Sequence, residues 1–330
     1  MSDAFMKFIK ILGRGKNGAR TLTTEEAYEA MSMMLLGDVA PEQEGAFWML
    51  IRIREETVEE TVGFTHAVRA HLGSADFKVD LDWPAYAGKR KELPWFLLSA
   101  LALSNAGYKV VMHGHSFADE DRLYVDEIIE ALALPQASCF EDMSVKALKY
   151  GFVYMSLQAI DRRLASMMNL KQVLGLRSPI NTVVRMMNPF QAEHSVHGVF
   201  HKGYDDLHAQ ACLKLGDKSV LVFRGGNGEA EVNPERDVVL SRVQNGELSL
   251  DEWPRIERQH TRNKEDLSLG RLTAHWSGEQ VDAFGEKAVL QTLASVLGLI
   301  HSKREHEECL AMAHDIWHQR DKGFLVKQGA

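Results

Sequence analysis

Apolar residues in the first 72 positions recur with the spacing of amphipathic helices. Between Ala27 and Leu35 they fall three or four residues apart, which places them on one helical face. Thr23-x-x-Glu26 and Thr57-x-x-Glu60 have the sequence of a capping box, in which hydroxyl and carboxylate bind free N–H groups at a helix start. Pro41 suits the first turn of a further helix. The pattern predicts several packed helices.

Beyond residue 76 the pattern changes to short apolar runs that alternate with helical segments. These runs predict strands at Phe77–Asp82, Tyr108–Met112, Phe152–Met155 and Ser219–Phe223. Strands that alternate with helices favour a largely parallel sheet, which carries ligand sites at the carboxyl ends of its strands. This part of the chain is therefore predicted to be α/β.

A second helical segment interrupts the α/β pattern between Asp161 and Asn188. We expect it to pack back on the N-terminal helices. The prediction is a small all-helical domain formed by residues 1–75 and 160–190, and an α/β domain formed by residues 76–159 and 191–330.

The composition excludes several classes of protein. The chain has 330 residues, of which 45% are apolar and 25% charged, as is ordinary for a globular protein. No uninterrupted apolar run approaches the roughly 20 residues that a membrane helix needs, and the N-terminus lacks a signal-peptide pattern. Three widely spaced cysteines form neither a disulfide framework nor a zinc motif. We expect a cytoplasmic protein with no membrane partner.

The net charge of −8 argues against a uniformly basic nucleic-acid-binding protein. Two local basic clusters stand out nevertheless. One contains Arg14, Lys16 and Arg20, and the other is Lys89-Arg90-Lys91. Basic clusters in an acidic chain are candidate anion sites, although solvated surface is an equally simple interpretation.

Several motifs, taken in order, resemble those of anthranilate phosphoribosyltransferases. The resemblance covers nearly the whole chain and implies a nucleoside phosphorylase/phosphoribosyltransferase-like fold, α/β with a mainly parallel central sheet and a separate small all-helical domain. The motifs are Thr23-x-Glu25-Glu26-Ala27, Met34–Asp38, Ile53–Gly63, Val110–His115, Leu174–Ser178 and Val222–Gly228.

The first departure from that family concerns the pyrophosphate loop. The enzymes carry Gly-Thr-Gly-Gly-Asp after their first sheet strand, and the backbone N–H groups of that loop hold the pyrophosphate. Here the corresponding segment is Trp83–Lys91, in which Gly88 is the one glycine and Tyr86 and Arg90 are bulky. The amide cradle is predicted to be lost, with basic side chains left to hold phosphate as point charges.

The second departure concerns magnesium and the acceptor. The adjacent acids that hold magnesium in the enzymes correspond to Ala230-Glu231, so one acid is missing and Glu231 is a weak metal candidate. Arg177 is retained where the enzymes face the anthranilate carboxylate, and it serves either an anion or an ion pair between the two domains. With His113, Gly114 and His115 it forms a candidate residual site for a small anion such as phosphate or sulfate.

The run Leu12–Arg20 and the motif Tyr86-x-Gly88-x-Arg90-Lys91 resemble the YbiB-like group of this family. That resemblance implies a homodimer, formed through the helical domain, that binds DNA or RNA with little sequence preference and does not transfer phosphoribosyl groups. No catalytic residue and no cofactor are then expected. The residues predicted to bind phosphate or nucleic acid are Arg14, Lys16, Arg20, Tyr86, Gly88, Lys89, Arg90 and Lys91.

Two alternatives remain open at the level of sequence. An active transferase would use phosphoribosyl pyrophosphate and Mg²⁺ with an unknown acceptor, and would hold its donor with His113, Arg177 and the loop from Tyr86 to Lys91. A regulatory or scaffolding dimer would need none of these groups. Tyr86 and Trp83 either stack a base or pack beneath a turn.

Overall fold

The computed structural model describes residues 3–15, 17–73, 77–118, 121–258, 266–302 and 304–325. Its helices, in chain order, are α1 (Met6–Gly13), α2 (Thr24–Leu35), α3 (Pro41–Arg54), α4 (Val58–Leu72), α5 (Trp95–Asn105), α6 (Val125–Ala131), α7 (Phe140–Tyr150), α8 (Leu157–Ile160), α9 (Arg162–Leu174), α10 (Ile180–Met186), α11 (Tyr204–Leu215), α12 (Leu269–Ser277), α13 (Ala283–Ile300) and α14 (His306–Gln319).

One sheet runs through the α/β part. Its strands are β1 (Leu81–Ala85), β2 (Val110–Gly114), β3 (Gln136–Ala137), β4 (Phe152–Ser156), β5 (His194–Val199), β6 (Ser219–Arg224), β7 (Val238–Gln244) and β8 (Glu247–Trp253). The strand order is β3-β4-β2-β1-β5-β6-β7-β8. All pairs from β3 to β6 are parallel, and β7 and β8 add an antiparallel edge. The predicted mainly parallel sheet is confirmed.

The helical segments begin where the sequence predicts. The hydroxyls of Thr23 and Thr57 accept the N–H groups of Glu26 and Glu60, whose carboxylates accept the threonine N–H groups in return. Both capping boxes are confirmed. Helices α2 and α4 cross at Gly63, where an added Cβ would lie 2.3 Å from the Thr24 carbonyl oxygen. A glycine is therefore required at this crossing.

Two strand boundaries differ from the prediction. β1 begins at Leu81 and ends at Ala85, whereas the sequence predicts a strand over Phe77–Asp82. β2 ends at Gly114, two residues beyond the predicted end at Met112. Both strands are buried along their whole length, and continuous burial of both faces leaves no polar alternation to mark a strand end.

Helices cover both faces of the sheet. α5, α13 and α14 pack on one face, and the N-terminal helices share a hydrophobic core with the other face. α13 is long and apolar enough to cross a membrane by length and composition, but 78% of it is buried inside the protein. Packing in this core accounts for its apolar composition.

Candidate anion-binding cleft

A polar cleft lies at the carboxyl ends of β1, β5 and β6, where helices α3 and α10 approach the sheet. It contains a cavity of about 330 Å³ whose lining includes Arg52, Arg122, Arg177 and Arg185, with Glu56 as its acidic lining residue. Arg52 belongs to α3 and Arg185 to α10, whereas the others lie on loops. The fold thus gathers four cations from separate elements at the edge where parallel sheets bind ligands.

Arg185 is buried beneath this cavity. Its guanidinium lies 5.9 Å from the centre of the Tyr86 ring, and it donates a hydrogen bond to the carbonyl of Asn181. Burial, reinforced by the positive charge of Arg177 and opposed by Glu229, lowers the pKa of Arg185 to about 10. A buried cation with this shift is stabilised by any anion that enters the cavity.

Arg177 connects the cleft to the loop after β1. Its Nη2 atom donates a hydrogen bond to the Ala87 carbonyl oxygen at 3.0 Å. Because that acceptor is a neutral carbonyl, the bond positions the guanidinium without neutralising its charge. Of the two roles open for Arg177, this geometry favours the anion site over an ion pair between the two parts.

Two buried polar atoms of the cavity lining have no hydrogen-bond partner among the described residues. They are Nδ1 of His208 and Oδ1 of Asn181. Burial, with the charge of Arg185, lowers the pKa of His208 to about 3, so its imidazole is neutral near pH 7. Such atoms are costly unless a ligand or water binds them, so they make the cavity a candidate binding site.

A second cavity continues the cleft along the surface. It has a volume of about 660 Å³ and shares Phe200, His201 and Asn227 with the first. The Phe200 side chain is 55% exposed and meets the His201 ring at a centroid distance of 5.1 Å. The second cavity adds three cations and three acids, which are Lys202, Arg224, Arg236, Glu92, Asp205 and Asp237.

The loop from Tyr86 to Lys91 does not form the exposed basic surface that its sequence predicts. Tyr86 is fully buried and its hydroxyl lies 2.7 Å from Nδ1 of His113, so it cannot stack on a base in this conformation. Trp83 is likewise buried, in β1. Of the two alternatives left open for these rings, the structure agrees with packing inside the protein, and the prediction that Tyr86 binds nucleic acid is corrected accordingly.

Lys89 is also buried, with 1% of its surface exposed. Its ammonium lies 2.6 Å from Oε1 of Glu231 and 3.2 Å from Oε2 of Glu92. Burial alone would lower the pKa of Lys89, but the two carboxylates raise it above its ordinary value. Lys89 is therefore a structural cation, and its predicted role in phosphate binding is corrected.

The candidate metal ligand Glu231 is fully engaged inside the protein. Besides Lys89, it accepts the N–H of Phe96 at 2.9 Å. Its neighbour Ala230 supplies no side-chain oxygen, and the described residues contain no group of three or more histidine, cysteine, aspartate or glutamate side chains that could hold a metal ion. Magnesium prefers several oxygen ligands in octahedral geometry, so this donor set does not fit it.

The side chain of Glu229 binds two backbone amides of the loop after β1. One of its carboxylate oxygens accepts the N–H groups of Ala87 and Gly88, at 2.7 and 2.6 Å. Gly88 has a φ of 69°, and an added Cβ would lie 2.7 Å from the Tyr124 ring. Two amides of the cradle that the sequence predicts to be lost therefore still converge on one oxygen, but a carboxylate of the chain itself supplies that oxygen.

His113 lies within the sheet and does not line the cleft. Its Nε2 is 3.0 Å from Asp82, which binds Ser195 at 2.9 Å, and Ser195 in turn lies 2.9 Å from His197. Together with Tyr86 these side chains form a buried hydrogen-bond network. The prediction that His113 binds a small anion is corrected, because all of its ring partners are internal.

The remaining predicted residues are distributed over the structure. Gly114 lies in β2, where an added Cβ would be 2.4 Å from the Ala85 carbonyl oxygen, and His115 binds Asn169 at 2.9 Å. Neither belongs to the lining of the cleft. Of the predicted residues, the structure thus brings Arg177 to the lining of the cleft, but not Gly88, His113 or His115.

The exposed basic residues are partly neutralised. Arg20 binds Glu26 through two hydrogen bonds, and Arg90 lies 3.0 Å from Asp121. Arg14 and Lys91 are exposed. Lys16, also predicted to bind phosphate, lies outside the described residues.

Sequence reasoning missed the side chains that define the cleft. Arg52, Arg122 and Arg185 are single basic residues in unrelated segments, and no local pattern brings them together. Glu229 had a usable signal, because it follows a Gly-rich turn at the end of a predicted strand. Its buried contact with residues 141 and 142 positions earlier could not be inferred from that turn.

Comparison with known proteins agrees with this architecture. Residues 6–72 match the helical bundle domain of a glycosyl transferase family. Anthranilate phosphoribosyltransferase of Geobacillus sp. (strain WCH70) is 28% identical over 234 residues, which cover 69% of this chain and 68% of the relative. The uncharacterized protein YbiB of Escherichia coli (strain K12) is 26% identical over 281 residues, which cover 82% and 86%.

The fold extends over the whole chain. The crystal structure of anthranilate phosphoribosyltransferase from Thermus thermophilus matches with a TM-score of 0.78 at 20% identity, covering 99% of this chain and 98% of that one. The order of motifs, the helical bundle and the sheet agree with these relatives. The chain therefore belongs to the anthranilate phosphoribosyltransferase-like family, in its YbiB-like subgroup.

Proposed function

We propose that this protein binds single-stranded nucleic acid in the arginine-lined cleft and does not transfer phosphoribosyl groups. The observation that carries the proposal is the cavity lined by four arginines against one carboxylate. Guanidinium groups suit phosphate because they donate paired hydrogen bonds in a fixed geometry.

The surface beside the cavity supports a polymeric ligand. The adjoining cavity carries further cations, and the exposed Phe200 ring lies between the two. Aromatic rings between cationic sites are the usual platform for unpaired bases, since every base has a face that can stack. The contact surface thus differs from the one that the sequence predicts, which included buried Tyr86 and Lys89.

The internal bonds of Glu229 and Glu231 support the loss of transfer chemistry. Glu229 fills the loop amides, and Glu231 is bound by Lys89 and by a backbone N–H. Both groups would have to break these buried bonds before they could serve a donor or a metal ion.

The test is fluorescence anisotropy of a labelled oligodeoxythymidylate of about 20 nucleotides, long enough to span both cavities, with wild-type protein, Arg177→Ala and Lys149→Ala. Lys149 is the matched control, because it is exposed on α7, next to the amino end of β4 and away from the cleft. We expect Arg177→Ala to raise Kd roughly tenfold in low salt. The slope of log K against log salt should fall by about 0.7, as for one lost phosphate contact with a single strand.

Lys149→Ala should bind like the wild type. Equal affinity of wild type and Arg177→Ala, or no binding by the wild type in low salt, would remove the proposal. Thermal unfolding of each variant checks that the loop contacted by Arg177 stays folded.

A phosphoribosyl transferase is the second candidate, favoured by the family name of the Geobacillus relative. An anthranilate phosphoribosyltransferase of Saccharomyces cerevisiae has been solved with phosphoribosyl pyrophosphate and Mg. Calorimetric titration of this protein with that donor and Mg²⁺ separates the two functions. The nucleic-acid proposal expects no saturable heat, whereas a one-site isotherm with magnesium dependence supports the transferase.

A further inference from the structure

We propose that Glu229 is an autoinhibitory residue, whose carboxylate occupies an oxyanion position formed by the amides of Ala87 and Gly88 and so excludes free phosphate. This inference goes beyond the proposed function, since it concerns a small-anion position at the base of the cleft and not the polymer-binding surface.

The geometry is that of a bound oxyanion. Two successive N–H groups converge on one carboxylate oxygen at 2.7 and 2.6 Å, which are short distances for N–H donors and typical of charge-assisted bonds. Successive amides in a turn that contains a residue of positive φ form the concave anion site found in phosphate-binding loops. Gly88 supplies that residue, with a φ of 69°.

The carboxylate is held there by its own backbone. An added Cβ at Gly225 would lie 1.8 Å from the Glu229 carbonyl oxygen, and one at Gly198 would lie 2.2 Å from the Ala230 nitrogen. Because these two glycines let the 229–230 backbone pack directly against the ends of β5 and β6, the backbone of Glu229 is fixed beside the loop after β1. The side chain therefore starts from a position within reach of the two amides.

In the part of the chain that the structure describes, the Glu229 carboxylate leaves one of its two oxygens without a hydrogen bond. The second carboxylate oxygen, Oε2, is buried and has no hydrogen-bond partner among the described residues. Burial raises the pKa of Glu229, against the opposing effects of Arg185 and the two amides. A phosphate in the same place would bind the amides and present further oxygens to the arginine side of the cleft.

The oxyanion position at the Ala87 and Gly88 amides lies next to the arginine-lined cavity. Ala87 lines the arginine cavity, and its carbonyl accepts the hydrogen bond of Arg177. Arg185 is near enough for its charge to act on Glu229. An oxyanion that replaced Glu229 would therefore meet the same cations, which favours an anion such as phosphate over a neutral ligand.

The test is calorimetric titration of inorganic phosphate into wild type, Glu229→Ala, Glu229→Gln and Glu193→Ala. Glu193 is the control, because it precedes β5 at the opposite, amino edge of the sheet. We expect Glu229→Ala to bind phosphate about tenfold more tightly than the wild type or the control, since it frees two charge-assisted bonds.

Glu229→Gln should show a smaller gain, because its amide oxygen still accepts from the loop but carries no charge to repel phosphate. Near-ultraviolet circular dichroism checks the fold of each variant. Equal phosphate affinity of wild type and Glu229→Ala overturns the proposal, and if that variant does not fold, equal affinity of Glu229→Gln overturns it. The assay contains no DNA, so its failure is distinct from failure of the nucleic-acid proposal.

Discussion

Lys89 is a cation in the sequence that the fold pairs internally, so its charge cannot bind a ligand. The tripeptide Lys89-Arg90-Lys91 appears as three cations in the sequence, yet the first is buried against Glu231 and the second faces Asp121. Lys89 has one partner nearby, Glu92, and one partner 142 residues away in the chain, Glu231. Charge patterning along the sequence carries no information about the distant pairing, so the basic-loop prediction could not anticipate that Lys89 is buried.

Replacement of Lys89 should damage stability more than binding. We expect Lys89→Met to lower the free energy of unfolding by about 3–5 kcal/mol, because it leaves Glu231 buried without its cation. Urea denaturation followed by tryptophan fluorescence measures this loss. The double variant Lys89→Met/Glu231→Leu should recover most of it, since both charges of the Lys89–Glu231 pair are then removed.

The neighbouring Lys91 provides the control, as it is exposed. Lys91→Met should change the free energy of unfolding by less than about 0.5 kcal/mol. A similar small effect of Lys89→Met would contradict the assignment of Lys89 as a structural cation.

A glycine determines how closely helices α2 and α4 can pack. Gly63 lies where α2 crosses α4, and an added Cβ would be 2.3 Å from one backbone oxygen and 2.7 Å from the Ala27 Cβ. Gly45 lies within α3 in open space, with its nearest contact 4.0 Å away. The same substitution should therefore have opposite effects at the two positions.

We expect Gly63→Ala to destabilise the protein by about 1–3 kcal/mol, since the helices must separate to admit the methyl group. Gly45→Ala should stabilise it by about 0.5–1 kcal/mol, because alanine loses less backbone entropy in a helix. Urea midpoints of both variants provide the measurement. A stabilising Gly63→Ala would show that the crossing is looser than the structure indicates.

Helix starts and strands could be predicted from the sequence where a short run of residues specifies them. The capping boxes at Thr23 and Thr57 and the strand at β4 follow from short patterns and are confirmed. The β7–β8 hairpin was missed although Asn245-Gly246 marks it, and both residues have positive φ, as a tight hairpin turn requires. The ends of β1 and β2 lacked any signal, because buried parallel strands show no alternation.

The protein as a whole is acidic, but the cleft between the helices and the carboxyl ends of the strands contains four arginines. With a net charge of −8 the surface as a whole repels nucleic acid, whereas the cleft faces a ligand with four arginines from α3, α10 and two loops. The order of motifs along the chain was enough to predict the fold. The cleft depends on how separate segments meet in three dimensions, so of its arginines the sequence predicted only Arg177. The homodimer stays a prediction.

Photo-cross-linking is the decisive test for nucleic-acid binding in the cleft, since it locates a bound strand on the protein. An oligonucleotide that carries 5-iododeoxyuridine is irradiated with the wild-type protein, and the cross-linked peptides are identified by mass spectrometry. We expect cross-links at Phe200 or His201, the aromatic residues shared by the two cavities. Cross-links confined to the amino edge of the sheet, near Glu193 and Asp217, would contradict it.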